Sequence, residues 1–208
     1  MQLQIDTPAL SSHTPKPIAQ RTPLWRPCDQ ISRLHIPDQF RGWLLDPTSL
    51  THRLKQVCGA TFRVRVIRQA WGRPRQDEAR ILKLRPAQRG LIREVQLLCN
   101  GKPCVFARTV IPVRTRSGRQ RRLASLGSRP LGAFLFADPT MRRGPVEISR
   151  MVRGHDLFLL ATAGLKQAPL EIWGRRSVFY LSGKPLLVSE IFLAPPAPCR
   201  RRWSYTVG

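Results

Sequence analysis

Two stretches of this 208-residue chain, "LIREVQLLCNGKPCVFARTVIP" (91–112) and "RRSVFYLSGKPLLVSEIFLAP" (175–195), are built alike. Each is an apolar run, a Gly-Lys-Pro turn, and a second apolar run that stops at proline. That is the pattern of an antiparallel hairpin. Strand side chains alternate between faces. Leu186, Val188, Glu190 and Phe192 therefore share one face of the last strand, and Leu187, Ser189, Ile191 and Leu193 share the other. In the first hairpin Leu91, Arg93, Val95 and Leu97 lie together. Aligned on Gly-Lys-Pro, Arg108 falls opposite Glu190. Shared turn chemistry in one sheet explains the likeness without an internal duplication.

Both faces of these strands are apolar enough to be buried, yet they carry charges. Glu190 sits among Leu186, Val188 and Phe192, and Arg93 among Leu91, Val95 and Leu97. Arg68 follows Phe62, Val64 and Val66 in the alternating segment 61–71, and Arg108 follows Cys104 and Phe106. An unpaired buried charge costs roughly 3–5 kcal/mol, by analogy with broken buried pairs. Such groups pair with one another, or they line a closed pocket in which an Arg grips an external carboxylate and Glu190 meets a proton or hydroxyl.

The remaining punctuation completes an α+β reading. Six prolines between Pro8 and Pro37 forbid long helices and central strands, so residues 1–37 are expected to form an extended arm with no room for a helix-turn-helix. Short amphipathic pieces follow at 37–47 and 46–59, the second capped by Thr48 or Ser49 and closed by Gly59. A half-buried strand covers 61–71 and a short one "PVEISR". The segment 126–136 restarts a helix near Pro130 or Leu131. The expected architecture is a single domain over 38–196: a mainly antiparallel sheet of about six strands, a few helices packed on one side, and flap loops over a buried pocket. Residues 197–208 form a basic tail.

Charge narrows the partners only partly. The net charge is +24, and six of the 36 basic residues are Lys, so Arg dominates. Such a chain attracts anions of many kinds. Specific nucleic-acid binding is not expected, because most Phe residues fall in apolar strand patterns rather than beside basic runs. The longest apolar run, 157–165, is too short to span a bilayer, and the first residues lack a signal-peptide pattern; a cytoplasmic protein is expected. Five cysteines without a CxxC pair read as reduced thiols, although Cys99 and Cys104 could meet across a hairpin. No His–Cys spacing fits zinc, and no Gly-x-Ser-x-Gly elbow is present.

The chain resembles the chorismate lyase family. The residues that carry the resemblance are "WLLDPTSLTHRL" (43–54), 92–112, "LGSRPLGAFLF" (126–136), "VEISR" (146–150) and 173–195. The resemblance implies cofactor-free removal of pyruvate from chorismate, leaving 4-hydroxybenzoate for ubiquinone, by a monomer with no metal. It implies that Arg93 and the backbone amides of Leu50 and Leu131 hold the ring carboxylate, and that Glu190 meets the product hydroxyl as a catalytic group. It further implies that the flaps are 46–54 and the loop before "RPLG". A second Arg should face the enolpyruvyl carboxylate, with Arg68, Arg108 and Arg176 as candidates. Leu50 stands where relatives carry Met, which matters little if the amide does the binding. The stretch 151–172 is longer than the resemblance leads one to expect, and could add a helix or cover a pocket mouth. Two readings from other classes remain: an effector-binding module of the same fold, and a basic nucleic-acid-binding protein.

Overall fold

A computed structural model describes residues 21–32 and 35–196. The first 20 residues of the expected arm and the basic tail lie outside the described residues. The described part of the arm is built into the fold: β1 (Arg26–Pro27) pairs with β6 (Glu147–Val152) at one sheet edge, and Trp25 and Ile36 are buried. A two-residue edge strand is what proline permits.

The two hairpins form the centre of the sheet. They are β3 (Gly90–Cys99) with β4 (Lys102–Pro112), and β7 (Glu171–Leu181) with β8 (Lys184–Phe192). β4 pairs with β8, which joins them, and β2 (Arg63–Gly72) forms the far edge. The order is β1-β6-β7-β8-β4-β3-β2, with the two-residue β5 (Arg142–Arg143) paired to β7 beside β6, and every pairing is antiparallel. The described residues thus hold eight strands where about six are expected, and two of the eight, β1 and β5, are only two residues long.

The alternation read from the sequence sorts the core. On the front face, α1 (Asp38–Leu44) and α2 (Leu50–Cys58) press Phe40, Trp43, Leu44, Leu50 and Leu54 onto Val95, Leu97, Val105, Trp173 and Phe192. Ser49 caps α2, accepting the His52 amide at 3.3 Å, and Gly59 closes it at φ 53°. α4 (Leu131–Phe136) covers the rest of this face, where Leu135 packs with Leu91, Phe179 and Val188. Two further helices lie behind the sheet. α3 (Gln76–Ile81) leads into Leu82, which packs on Val110, Val178 and Leu187. α5 (Asp156–Thr162) packs Leu157, Phe158 and Ala161 on Phe106, Ile172 and Ile191. The long stretch 151–172 therefore adds a helix behind the sheet and not a cover over the front.

A row of charge crosses the back of the sheet. In register, Arg68 on β2 meets Glu94 on β3, Glu94 meets Arg108 on β4, and Arg176 on β7 meets Glu147 on β6. Arg108 is gripped by both oxygens of Glu78 from α3, at 2.7 and 3.0 Å, and also bonds Glu94. Burial pushes the Glu78 carboxyl up, but the hydrogen bonds and charge of Arg108 outweigh it and the net displacement is down. Arg176 pairs with Asp77 and Glu147 and lies 4.6 Å over the Trp25 ring. Removing one member of such a buried set strands the others. Arg108→Ala should lower the unfolding free energy by about 3–5 kcal/mol in urea titrations; a loss below about 1 kcal/mol would contradict the assignment.

The expectation of reduced thiols is corrected for one pair. The end of α2 lands against the end of β3, bringing Cys58 and Cys99 to a Cα separation of 5.4 Å, and they form a disulfide. Cys104 does not pair with Cys99. It is buried, with its thiol contacting the Leu97 carbonyl at 3.2 Å, and burial pushes that thiol up to about 11.

Candidate active site

A cavity opens on the front face between the α1–α2 pair and α4, with about 600 Å³ of atom-free space counting the part open to solvent. Its floor is the middle of the sheet, including Val95, Ala107, Thr109 and Val188. Its roof comes from residues 48–51 and the start of α4.

The roof is two helix beginnings. The first amides of a helix have no partner inside it, so those of Leu50 and Thr51, and of Leu131 and Gly132, are open to an anion. Pro130 leads into α4 without a side-chain cap. The two beginnings converge because residue 132 is glycine. A Cβ there would stand 2.8 Å from Thr51 Oγ1 and 3.2 Å from Ser49 Oγ. Leu50 and Leu131 thus reach the same cavity from segments far apart in the chain.

Arg93 rises from the floor, 2% exposed. Its Nη2 donates to the Gly127 carbonyl at 2.7 Å and the Arg129 carbonyl at 3.3 Å, which ties the floor to the loop before α4. Its Nε is buried with no partner. No ion pair involves Arg93 among the described residues, and burial holds its guanidinium below the ordinary value. The fold has placed a desolvated, half-committed cation in a cavity. A carboxylate would satisfy it.

Glu190 also lines the cavity, on the same face as Arg93 and not bonded to it. Of the two alternatives read from the sequence, the structure shows the pairing. Glu190 pairs with an inward Arg, Arg175 Nε lying 2.6 Å from its Oε2, and its side chain keeps 19% exposure toward the cavity. Arg175 Nη1 donates to the carbonyls of Trp43 and Asp46, so this cation is fixed from behind.

None of the three candidates for a second carboxylate ligand enters the cavity. The register shifts between Val66 and Arg68, and the extra residue, Ile67, turns Arg68 to the back row, where it is exposed. Arg108 and Arg176 are on the back face, held by acids. The arginines that do enter are Arg175 and Arg143. Parity from Glu190 would have found Arg175, since the two are paired in register. Arg143 lies on a two-residue strand that leaves no periodic signal. Together, three guanidinium groups against one carboxylate leave the cavity with an excess of two positive charges.

Fold and cavity define an α+β protein whose single antiparallel sheet carries a positively charged pocket on one face. The chain belongs to the chorismate lyase family, whose model matches residues 19–202. It is 48% identical, over 74% of its length and 84% of the relative's, to a protein of Azoarcus sp. (strain BH72) named probable chorismate pyruvate-lyase. A protein of the same name from Methylococcus capsulatus is 46% identical over 74% of this chain and 94% of its own. Among solved structures, PhnF from Mycobacterium smegmatis superposes with a TM-score of 0.51 at 13% identity, covering 74% of this chain and 67% of that one. That likeness concerns the fold alone. No helix among the described residues is long and apolar enough to cross a membrane.

Proposed function

We propose that this protein is a chorismate pyruvate-lyase, converting chorismate to 4-hydroxybenzoate and pyruvate. In this reading it acts as a cytoplasmic monomer without a cofactor, at the entry to ubiquinone assembly, and binds no nucleic acid specifically. The observation that carries the reading is Arg93: a buried guanidinium with an orphan Nε, in the cavity of a chain whose relatives bear that name.

Chorismate carries two carboxylates, which suits a pocket with two excess positive charges. Arg93 and the amides of Leu50 and Leu131 hold the ring carboxylate. Thr109 pairs with Arg93 and with Val188, two residues before Glu190. The Cα atoms of Arg93 and Glu190 are therefore about 12 Å apart, from two strand spacings across and two residues along. In this reading the ring lies between the two side chains, its carboxylate toward Arg93 and its hydroxyl toward Glu190.

The reaction breaks the ether bond to the ring, and the bonding pair leaves with the enolpyruvyl oxygen. The hydrogen on the hydroxyl-bearing carbon departs as a proton, and its bonding electrons complete the aromatic ring. The departing enolpyruvate takes up a proton at its methylene carbon and becomes pyruvate. Aromatisation supplies the driving force, so the protein has to fix the reactive conformer and stabilise the charge moving outward. Glu190 orients the hydroxyl or accepts the proton from the adjacent carbon. Because the roof must part for a flat product to leave, its opening limits turnover.

The test is direct. Purified protein mixed with chorismate should yield pyruvate and 4-hydroxybenzoate in equal amounts, followed by coupled reduction of pyruvate and by chromatography. Consumption of chorismate without these products, or no consumption, would overturn the reading.

A further inference from the structure

We infer that Arg143 is the receptor for the second carboxylate of the substrate, the one on the enolpyruvyl side chain, and so lets the site tell the dianionic substrate from its monoanionic aromatic product. This rests on the lyase reading and adds a residue that the sequence did not single out.

Arg143 is delivered by β5, a strand of only two residues. Its two residues pair with Tyr180 and Phe179 of β7. The chain then hugs β7 because the next residue is glycine. The Gly144 amide donates to the Val178 carbonyl at 2.8 Å, and a Cβ at 144 would lie 3.2 Å from the same oxygen. The side chain enters the cavity and is held from two sides, Nε on Ser177 Oγ at 3.1 Å and Nη1 on the Pro47 carbonyl at 2.7 Å. Its guanidinium carbon is 5.3 Å from the centre of the Phe179 ring. These neutral contacts orient the cation and leave Nη2 for a ligand.

Charge pairing separates the three arginines of the cavity. Arg175 is matched by Glu190. Arg93 and Arg143 enter no ion pair among the described residues, and burial followed by the nearby charge of Arg175 holds the Arg143 guanidinium below its ordinary value. A ligand with one carboxylate satisfies one of the two open cations. A ligand with two satisfies both. Arg93, with the convergent amides of the roof above it, takes the ring carboxylate. Arg143 takes the other, beside Glu190, where the ether bond breaks. Once pyruvate has left, Arg143 is again without a counter-charge, and the aromatic product keeps only its ring carboxylate on Arg93 and its hydroxyl on Glu190.

Arg143→Gln and Arg143→Lys should be compared with the intact protein by kinetics and by calorimetric binding of 4-hydroxybenzoate and of 3-(carboxymethoxy)-4-hydroxybenzoate, a stable aromatic dicarboxylate. The expected result for Arg143→Gln is a loss of about 10- to 10²-fold in kcat/KM for chorismate and a similar loss in affinity for the dicarboxylate, from one charge-assisted contact. Affinity for 4-hydroxybenzoate should change less than about threefold, and Arg143→Lys should recover part of the loss. Equal weakening of both ligands, or of neither, would overturn the inference. The calorimetric arm needs no turnover. Failure of the intact protein to act on chorismate would thus count against the lyase reading, while a dicarboxylate preference that survives Arg143→Gln counts against Arg143 alone.

Discussion

Arg93→Ala should abolish 4-hydroxybenzoate binding in calorimetry and cut kcat/KM for chorismate on the order of 10²- to 10³-fold, while the melting temperature holds or rises. The activity loss follows, in the proposed reading, from removing the cation that receives the ring carboxylate, and a broken buried charge pair is worth roughly 3–5 kcal/mol. The stability outcome follows from the state of Arg93 without ligand. Its Nε is buried and unpartnered and no carboxylate neutralises it among the described residues, so the folded chain carries a cost that its two bonds to carbonyls offset only in part. Sites poised for a ligand commonly trade stability in this way. Arg93→Lys retains the charge but not the planar, two-point grip, and should recover only a small part of the binding. An Arg93→Ala protein that keeps full turnover would show that the carboxylate lies elsewhere.

Glu190→Gln should reduce kcat at least about 10²-fold, the usual size of a lost acid–base group, with a much smaller effect on KM. Glutamine preserves the shape and can still accept from Arg175 Nε, now 2.6 Å from the carboxylate, and Arg175 remains anchored on Trp43 and Asp46. The substitution therefore separates two roles. If Glu190 only balances Arg175, the variant melts lower but turns over normally. If it handles the hydroxyl or the proton, turnover collapses in a folded protein. Glu190→Ala confounds the two, because it strands the Arg175 cation, and should lower stability as well.

The main elements of the fold were legible because period-two alternation is a strong signal where strands are long and regular. β3 and β8 carry no shift near Arg93 or Glu190, so parity groups each with its apolar neighbours correctly, and the pairing through β4 puts the two groups on one face. The helix starts at Leu50 and Leu131 followed from capping chemistry and from proline. Parity failed where the chain breaks it. One extra residue in β2 sent Arg68 to the back. Two adjacent arginines in β7 face opposite ways, and the candidate named from the sequence, Arg176, is the neighbour of the one that enters the cavity, Arg175. β5 and α3 are too short to show any period, so Arg143 and the α3 acids Asp77 and Glu78, which hold Arg176 and Arg108, leave no signal in the sequence. The Cys58–Cys99 bridge spans 41 positions and has no local signature.

Gly132 shows how little separates a working site from an empty shell. The roof is held open to ligand by a missing carbon atom: one methyl at that position would wedge against Thr51 at 2.8 Å and prise the two helices apart. The sheet beneath would not register the change. A descendant of this chain with alanine at 132 would keep its scaffold and its charges, yet present its backbone donors to water instead of to a guest, and so become a candidate for a new occupation.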